Sequence, residues 1–247
     1  MGPDQKVGPV SARMRASLYA FAPVLHDGVP LGLFAETSFR PRATVATIMR
    51  PLDESMLVSG DMSLGEPPLA LVDEPFLFVL RGRRLTGFVT PADMGAVPAR
   101  THYYMQLSEL EILLAQLVRQ AFDDQNEVLD HLSETRRRST VKLLCDLRRR
   151  DEVLDVVAAL SLVGLVQIAR QVPGFVPAAT RGGRSWRWLT RGLGDFRNDV
   201  MHPVRDFARA TQSGMIDLAN FEERVRTFTD ASRAVLDTVH ANDGEPA

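Results

Sequence analysis

One short segment combines an arginine, an asparagine and a histidine, three residue types that can act on a phosphodiester. Arg197, Asn198 and His202 lie within six residues, where the sequence predicts the end of a helix. Arginine is a permanently charged fork that binds phosphate, and histidine moves protons near neutral pH. Asparagine can hold a ligand oxygen or the histidine. Together these side chains could cleave a phosphodiester bond without a metal.

Helix geometry limits how these three side chains can meet. Asn198 and His202 are four residues apart and share a helix face, whereas Arg197 lies roughly 140° around the axis from His202. Pro203 disfavours helical geometry at His202, so we expect the histidine on an accessible terminal turn. Convergence of the three then requires a bent helix end or an arginine that wraps around it.

The chemistry that these residues could support is RNA cleavage. His202 could take the proton of a ribose 2′-OH or supply one to the departing 5′-oxygen, while Arg197 stabilises the charge on the phosphate. Asn198 could orient the substrate or the histidine. One chain offers one such histidine although acid and base need two groups, so we expect a two-fold homodimer. The need for a 2′-OH selects RNA over DNA.

The segment around these residues is basic, although the whole chain has a net charge of −2. Its arginines are Arg181, Arg184, Arg187, Arg191, Arg197, Arg205 and Arg209. Such a patch suits a phosphate backbone, and Trp186 or Trp188 could stack on a base. The alternatives are that both tryptophans belong to the core, that Arg197 forms an ion pair, and that His202 caps the helix end.

Composition predicts a soluble, cytoplasmic protein of one large or two modest domains. Of its 247 residues, 45% are hydrophobic and 24% are charged. Cys145 is the only cysteine, which excludes an internal disulfide and a cysteine-based metal cluster. The histidines lack ligand-spaced partners, so no metal site is predicted. The apolar stretch 153–169 is predicted to be a buried helix, too short for a membrane span of about 20 residues.

Periodicity predicts an α+β fold in two parts. Up to about residue 98, short apolar runs separated by turn residues predict hairpins at 22–34 and 76–89. From residue 101, apolar residues recur at spacings of three and four, which predicts an all-α bundle over 101–243. Within it, a helix over 186–200 carries the Arg197 segment, and a last helix follows over 217–240.

The N-terminal part contains an internal repeat in which Gly32 matches Gly87. The second copy ends in Gly87-Phe88-Val89-Thr90-Pro91-Ala92-Asp93 and resembles the cystathionine-β-synthase (CBS) domain. The resemblance implies a regulatory α/β repeat pair over 1–98, with a degenerate copy at about 10–42 and an intact copy at about 44–94.

The CBS resemblance also implies a ligand, because the matching Gly-x-x-Thr-x-x-Asp segment of CBS domains contacts the ribose and phosphate of adenine nucleotides. The implied site for AMP, ADP, ATP or a nucleotide second messenger consists of Thr44, Gly87, Thr90 and Asp93. In the first copy Ala35 and Ser38 replace the threonine and the aspartate, so one intact site is predicted. The alternative is that Thr90 and Asp93 only cap a helix.

The segment Arg197-Asn198-Asp199-Val200-Met201-His202 matches the Arg-x4-His motif of HEPN domains. These are small helical bundles that usually act as dimers, and many are metal-independent ribonucleases, including toxins and antiviral defence effectors. The resemblance implies a HEPN-like bundle over 101–243 with Arg197, Asn198 and His202 as catalytic residues.

The sequence therefore predicts a cytoplasmic, homodimeric endoribonuclease that binds RNA, uses no metal, does not enter a membrane and is controlled by a nucleotide. The alternative is a non-catalytic module in which the nucleotide governs RNA binding or the choice of a partner.

Overall fold

The computed structural model describes residues 1–36, 40–82, 84–150 and 155–243. They form a mixed α+β protein with two small sheets and a helical C-terminal region. The chain divides into an N-terminal unit, Met1–Ala96 with Ala208–Leu218, and a helical unit, Val97–Phe207 with the chain from Ala219 onward. The return of residues 208–218 to the N-terminal unit was not expected from the sequence.

The secondary structure alternates strands and short helices before it becomes helical. The strands are β1 (Phe21–His26), β2 (Val29–Ala35), β3 (Arg50–Pro51), β4 (Leu57–Ser59), β5 (Leu77–Arg81) and β6 (Arg84–Val89). The helices are α1 (Val7–Ala16), α2 (Val45–Ile48), α3 (Pro67–Ala70), α4 (Val97–Ala121), α5 (Gln125–Asp130), α6 (Glu134–Arg148), α7 (Leu162–Ala169), α8 (Phe175–Thr180), α9 (Trp186–Thr190), α10 (Leu193–Met201) and α11 (Gln212–Asp243). Short 3₁₀ helices span Glu54–Met56, Pro91–Gly95 and Val157–Ala159.

The first sheet, in the order β1-β2-β3, is antiparallel throughout. Its hairpin turns at Asp27 and Gly28, with φ of 49° and 80°, because the favoured two-residue hairpin turn needs positive φ at both positions. A Cβ on Gly32 would lie 2.1 Å from the carbonyl oxygen of Arg50. Only glycine therefore allows β3 to pair with β2 at this point.

The second sheet, in the order β4-β5-β6, joins a parallel pair to an antiparallel hairpin. Both predicted hairpins are thus present. Gly87 lies opposite Val79 and has no neighbour within 4 Å of an added Cβ, so it does not share the packing role of Gly32. Ser38, which the sequence comparison placed in the degenerate first copy, lies outside the described residues.

The core of the helical unit is built on α4. The predicted stripe is buried along its whole length: Leu107, Leu110, Leu114, Leu117 and Val118. Each such side chain contributes about 1.5–3 kcal/mol when it leaves water. This stripe fixes the face of α4 that points into the bundle and leaves the other face for solvent or a partner.

The apolar stretch 153–169 is not the single helix that its composition predicted. Residues 153 and 154 lie outside the described residues, and the 3₁₀ turn Val157–Ala159 is followed by a new start at α7. The Ser161 hydroxyl accepts a hydrogen bond from the Gly164 N–H at 3.3 Å, which caps the new helix. Within the part of the chain that the structure describes, no helix is long and apolar enough to cross a membrane.

The predicted helix over 186–200 is two helices. Gly192 adopts φ of 68°, a left-handed conformation that glycine tolerates, and the chain turns there between α9 and α10. The last helix is longer than predicted, because α11 begins at Gln212 rather than near residue 217.

Candidate functional site

Helix α10 carries the Arg197 segment and packs closely into the bundle. A Cβ on Gly194 would lie 2.8 Å from Val163 of α7, so the glycine allows the two helices to approach. The Phe196 ring meets Tyr103 of α4 edge to face at 5.4 Å. Because packed interiors allow little displacement, α10 is a rigid support for the residues on its outer side.

Arg197 leaves α10 toward α4 and forms an ion pair there. Its Nε lies 3.1 Å from Oε1 of Glu111, and the two side chains are 36% and 26% exposed. This ion pair with another helix is the structural alternative that the sequence left open. Among the described residues, the Arg197 side chain makes no other hydrogen bond. Its terminal N–H groups therefore remain for a ligand, while Glu111 sets the plane of the guanidinium.

His202 stands on the terminal turn of α10, outside the helix proper. Its φ of −104° and ψ of 105° are extended, as expected for a residue that precedes proline. Its backbone N–H still donates to the Asn198 carbonyl at 3.1 Å, which keeps the turn in register with the helix. The side chain is exposed, so solvent or a ligand can reach the imidazole.

Arg100 of α4 holds this terminal turn, a role that the sequence did not reveal. Its Nη1 donates to the carbonyls of Asp199 at 2.7 Å, Val200 at 2.8 Å and His202 at 3.0 Å, and Nη2 donates to that of Arg205. The Asp199 and Val200 carbonyls lie in the last turn of α10, where carbonyls have no partner within the helix, and a cation there also complements the helix dipole. Arg100 therefore caps α10 and fixes the backbone that carries His202.

The three side chains share the end of α10 and do not bond to one another. Asn198 is exposed beside His202, as their spacing predicted, and Arg197 lies on the flank toward α4. Within the described residues, no hydrogen bond or ion pair joins the side chains of Arg197, Asn198 and His202. The arrangement is a surface rather than a closed cleft, and a second surface would be needed to enclose a substrate.

Ion pairs reduce the charge of the predicted basic patch. Arg184 pairs with Glu223 at 2.7 Å and Arg205 with Asp199 at 3.0 Å, in addition to the pair of Arg197 with Glu111. The exposed arginines of the patch for which the described residues supply no ion-pair partner are Arg181, Arg187 and Arg191. These three can still meet a phosphate backbone.

The two tryptophans are half-buried and take part in packing. Trp186 contacts the rings of Phe175 and Phe228 at 6.1 and 5.5 Å. The guanidiniums of Arg184 and Arg224 lie over the Trp188 ring, at 4.4 and 4.5 Å from its centroid. These contacts favour the core alternative over base stacking, because neighbours already cover much of both rings.

The N-terminal residues proposed for a nucleotide form local structure. The N–H and the hydroxyl of Thr90 both donate to Oδ2 of Asp93 at 2.7 Å, which is the N-terminal cap of the five-residue 3₁₀ helix Pro91–Gly95. The Thr44 hydroxyl contacts the Thr47 hydroxyl at 2.6 Å, and Gly87 lies half-buried in β6. The capping alternative is thus present, and it uses the same carboxylate that would bind a ribose.

The N-terminal unit also contains a cavity of about 460 Å³. It is lined by Asp27, Gly28, Val29, Pro30, Leu52, Leu57, Leu80, Arg84 and Leu85. Its wall is mostly apolar with one acid and one arginine, a combination typical of small-molecule sites. Neither Thr90 nor Asp93 is among the lining residues.

A buried polar cluster joins α4 to α11 inside the helical unit. Gln106 Nε2 donates to Oε1 of Glu222 at 2.6 Å, and His102 Nε2 lies 3.5 Å from Oε2. Burial raises the pKa of Glu222, but the nearby His102 imidazole, the hydrogen bond from Gln106 and the charge of Arg226 outweigh it, so the net shift of this pKa is downward. Burial, followed by the charge of Glu222, raises the pKa of Tyr103. The cluster is a packing feature that sequence reasoning missed.

Comparison with known proteins adds no family assignment: no protein-family model matches this chain, and no curated protein sequence is similar to it.

Proposed function

We propose that the helical unit is a metal-independent endoribonuclease that acts as a homodimer. The observation that carries this proposal is the exposed His202 on a non-helical turn at the end of α10. Asn198 lies beside it, and the Arg197 guanidinium lies on the side of the helix toward α4. A proton carrier, an amide and a phosphate-binding cation therefore occupy the same end of one rigid helix. The resemblance to HEPN domains supports this proposal. The same resemblance implies that the protein acts in the cytoplasm as a toxin or defence effector.

The proposed reaction is attack by the ribose 2′-oxygen on the adjacent phosphorus. His202 of one protomer takes the 2′-OH proton as the P–O bond forms, and its imidazolium returns a proton through a water molecule to the departing 5′-oxygen. The products are a 2′,3′-cyclic phosphate and a 5′-hydroxyl. The terminal N–H groups of Arg197 stabilise the charge on the phosphoryl oxygens, and Asn198 orients the phosphate or the imidazole.

We also propose that the N-terminal unit senses an adenine nucleotide or a nucleotide second messenger. The CBS resemblance supports the Thr44, Gly87, Thr90 and Asp93 site, and the cavity beside Arg84 offers a second place for a base or phosphate. Regulation requires that the ligand bind two arrangements of the protein with different affinities. A tenfold change in activity corresponds to about 1.4 kcal/mol of difference.

A non-catalytic RNA-binding or interaction module is the second candidate function. The ion pair of Arg197 with Glu111 favours it, and so do the hydrogen bonds that Thr90 donates to the Asp93 carboxylate at the helix start. Each of these contacts gives a proposed functional residue a structural role. In that case the exposed arginines would bind RNA electrostatically, and His202 would be dispensable.

RNA cleavage by the purified full-length protein in EDTA separates the two functions. We expect cleavage by the wild-type chain, with cyclic phosphate ends, and loss of at least a hundredfold in Arg197→Ala and His202→Ala. The matched controls are Arg148→Ala and His26→Ala, which change an exposed arginine of α6 and an exposed histidine of β1. Cleavage that survives both site substitutions would reject the assignment. RNA binding without cleavage, with and without ATP, would favour the second candidate.

A further inference from the structure

Helix α4 exposes apolar side chains on its outer face. The α4 stripe consists of Val97, Thr101, Tyr104, Met105, Ser108 and Ile112. The exposed fractions of its four large members are 76% for Val97, 46% for Tyr104, 61% for Met105 and 58% for Ile112. At about 100° per residue, all six residues fall on one side of the helix, opposite the face that forms the core. A contiguous apolar surface of this kind marks an interaction site.

The neighbouring helices of the unit border the stripe without covering it. Along one edge, Arg100 and Glu111 turn toward α10. Along the other edge, Glu109 pairs with Arg233 of α11. The stripe therefore lies between two packed edges and points away from the bundle.

The stripe has the same pattern in both directions along the helix. The large aliphatic residues Val97 and Ile112 stand at its two ends, and the large residues Tyr104 and Met105 stand at its centre. A small hydroxyl residue lies between the centre and each end: Thr101 on one side and Ser108 on the other. The spacings are four, three, one, three and four residues. Such a pattern is complementary to itself when two copies run antiparallel, because Val97 then meets Ile112 and Tyr104 meets Met105. An unrelated partner would not require this symmetry.

The Thr101 hydroxyl and the charges along one edge of the stripe are compatible with the same arrangement. The Thr101 hydroxyl already donates to the Val97 carbonyl at 2.9 Å, so it needs no other partner when it is covered. Arg100 and Glu111 lie on one edge, near opposite ends of the stripe. Antiparallel pairing keeps this edge of both copies on the same side and brings the cation of one copy to the level of the carboxylate of the other.

From these features we propose that two copies of the chain dimerise through the α4 stripe, antiparallel, with the two-fold axis between Tyr104 and Met105. The stripe forms the apolar centre of an isologous interface. A stable dimer buries about 800 Å² per partner, so the edges must contribute. Val204, which is 96% exposed on the turn held by Arg100, adds apolar surface on the α10 side.

This pairing has a consequence for the site, which rests on the proposed nuclease function. A two-fold axis perpendicular to the paired helices keeps the α10 edges of both copies on the same side. The two α10 helices then run antiparallel to each other above the pair. The His202 end of one helix lies level with the Arg197 end of the other.

The oligomeric state of the full chain tests the interface. By light scattering after size-exclusion chromatography, over a wide range of concentration, we expect the wild type to be a dimer and Met105→Glu to be a monomer. Leu143→Glu is the matched control, because Leu143 is also an exposed apolar residue on a helix, at 44%, and it should remain dimeric. Circular dichroism checks that Met105→Glu stays folded.

Cross-linking tests the direction of pairing. In a Cys145→Ser background, a short bis-maleimide should join Val97→Cys chains to Ile112→Cys chains when the two are mixed. It should not join Val97→Cys chains to each other, since those positions would be about 22 Å apart along the helix pair. Efficient Val97–Val97 cross-linking would show parallel pairing and overturn the proposed register.

The interface and the nuclease fail in different ways. A wild-type chain that is monomeric at every concentration would overturn the interface, whatever its activity. A dimer that Met105→Glu leaves intact would do the same. A dimer that Met105→Glu dissociates but that never cleaves RNA would reject the nuclease and support the interface.

Discussion

The guanidinium of Arg100 and the backbone carbonyl of His202 are 102 residues apart in sequence and 3.0 Å apart in the structure. The same side chain also bonds the carbonyls of Asp199, Val200 and Arg205. Hydrogen bonds from a charged donor are about twice as strong as neutral ones. Arg100 thus fixes the position of the proposed catalytic turn relative to α4.

Arg100→Ala should lower the free energy of unfolding by about 2 kcal/mol, because the half-buried carbonyls of Asp199 and Val200 lose a charged donor. It should also abolish RNA cleavage, since the turn that carries His202 is released. Chemical denaturation and the cleavage assay measure the two effects. Arg100→Lys keeps the charge but not the fork, so it should recover stability in part and activity little.

Arg119→Ala is the control for Arg100, on the same helix. Arg119 pairs with Asp155 at 2.6 Å on the surface, and such pairs contribute at most about 1 kcal/mol. If both alanine variants lost the same stability and retained cleavage, Arg100 would be an ordinary surface residue rather than a positioning one.

Glu111→Gln should slow cleavage roughly tenfold to a hundredfold with little loss of stability. Glu111 orients the Arg197 guanidinium at 3.1 Å, and small misplacements of a catalytic group have effects of this size. The change should lie in kcat rather than in KM if Arg197 acts mainly in the transition state. Faster cleavage by Glu111→Gln would mean that the carboxylate restrains Arg197 instead of aligning it.

Local signals in the sequence predicted the local features correctly. Asp27-Gly28 predicted the hairpin turn because that turn needs positive φ at both residues, and Pro203 predicted the extended backbone of His202. The break at Gly192 was missed although a glycine stood within the predicted helix. A lone glycine lowers helix stability without requiring a break, so the break between α9 and α10 depends on tertiary packing.

Long-range partners could not be predicted from the sequence. Glu111 and Arg100 are two of many charged residues, and no local pattern indicates that they contact the end of α10. The buried Glu222 was equally hidden, because a glutamate on an amphipathic helix is usually solvated. Which faces of α4 meet α10 and α11 depends on packing across the whole unit.

Glu222 should make the helical unit sensitive to acid. Its folded pKa is depressed, so the stability that its hydrogen bonds provide is fully present above the unfolded pKa of about 4.3. That stability is lost as the pH falls below this value through the folded pKa. Denaturation of the wild type and of Glu222→Gln should therefore diverge above pH 4.3 and converge below it. The control is the neighbouring change Glu223→Gln, whose stability should follow that of the wild type as the pH changes. If the stability of Glu222→Gln had the same pH dependence as that of the wild type, Glu222 would not be the source of the acid sensitivity.

Asp93→Ala should cost about 1 kcal/mol of stability, because Thr90 loses the acceptor of its cap. Calorimetry with ATP then distinguishes the cap from a ligand site. Loss of ATP binding in Asp93→Ala, but not in Arg84→Ala, would support the CBS-like site. The reverse pattern would place the nucleotide in the cavity of the N-terminal unit, and unchanged binding in both variants would leave Asp93 with the capping role alone.

Mixing two inactive variants tests whether the site is shared between chains. In the proposed antiparallel dimer, His202 of one copy works beside Arg197 of the other. Arg197→Ala and His202→Ala chains that exchange freely form mixed dimers in about half of the population, and each mixed dimer has one intact site of two. We therefore expect the mixture to recover about a quarter of the wild-type cleavage rate. Each variant alone should stay inactive, and adding Met105→Glu to both should remove the recovery. A mixture that stays inactive although exchange is complete would show that Arg197 and His202 must come from the same chain.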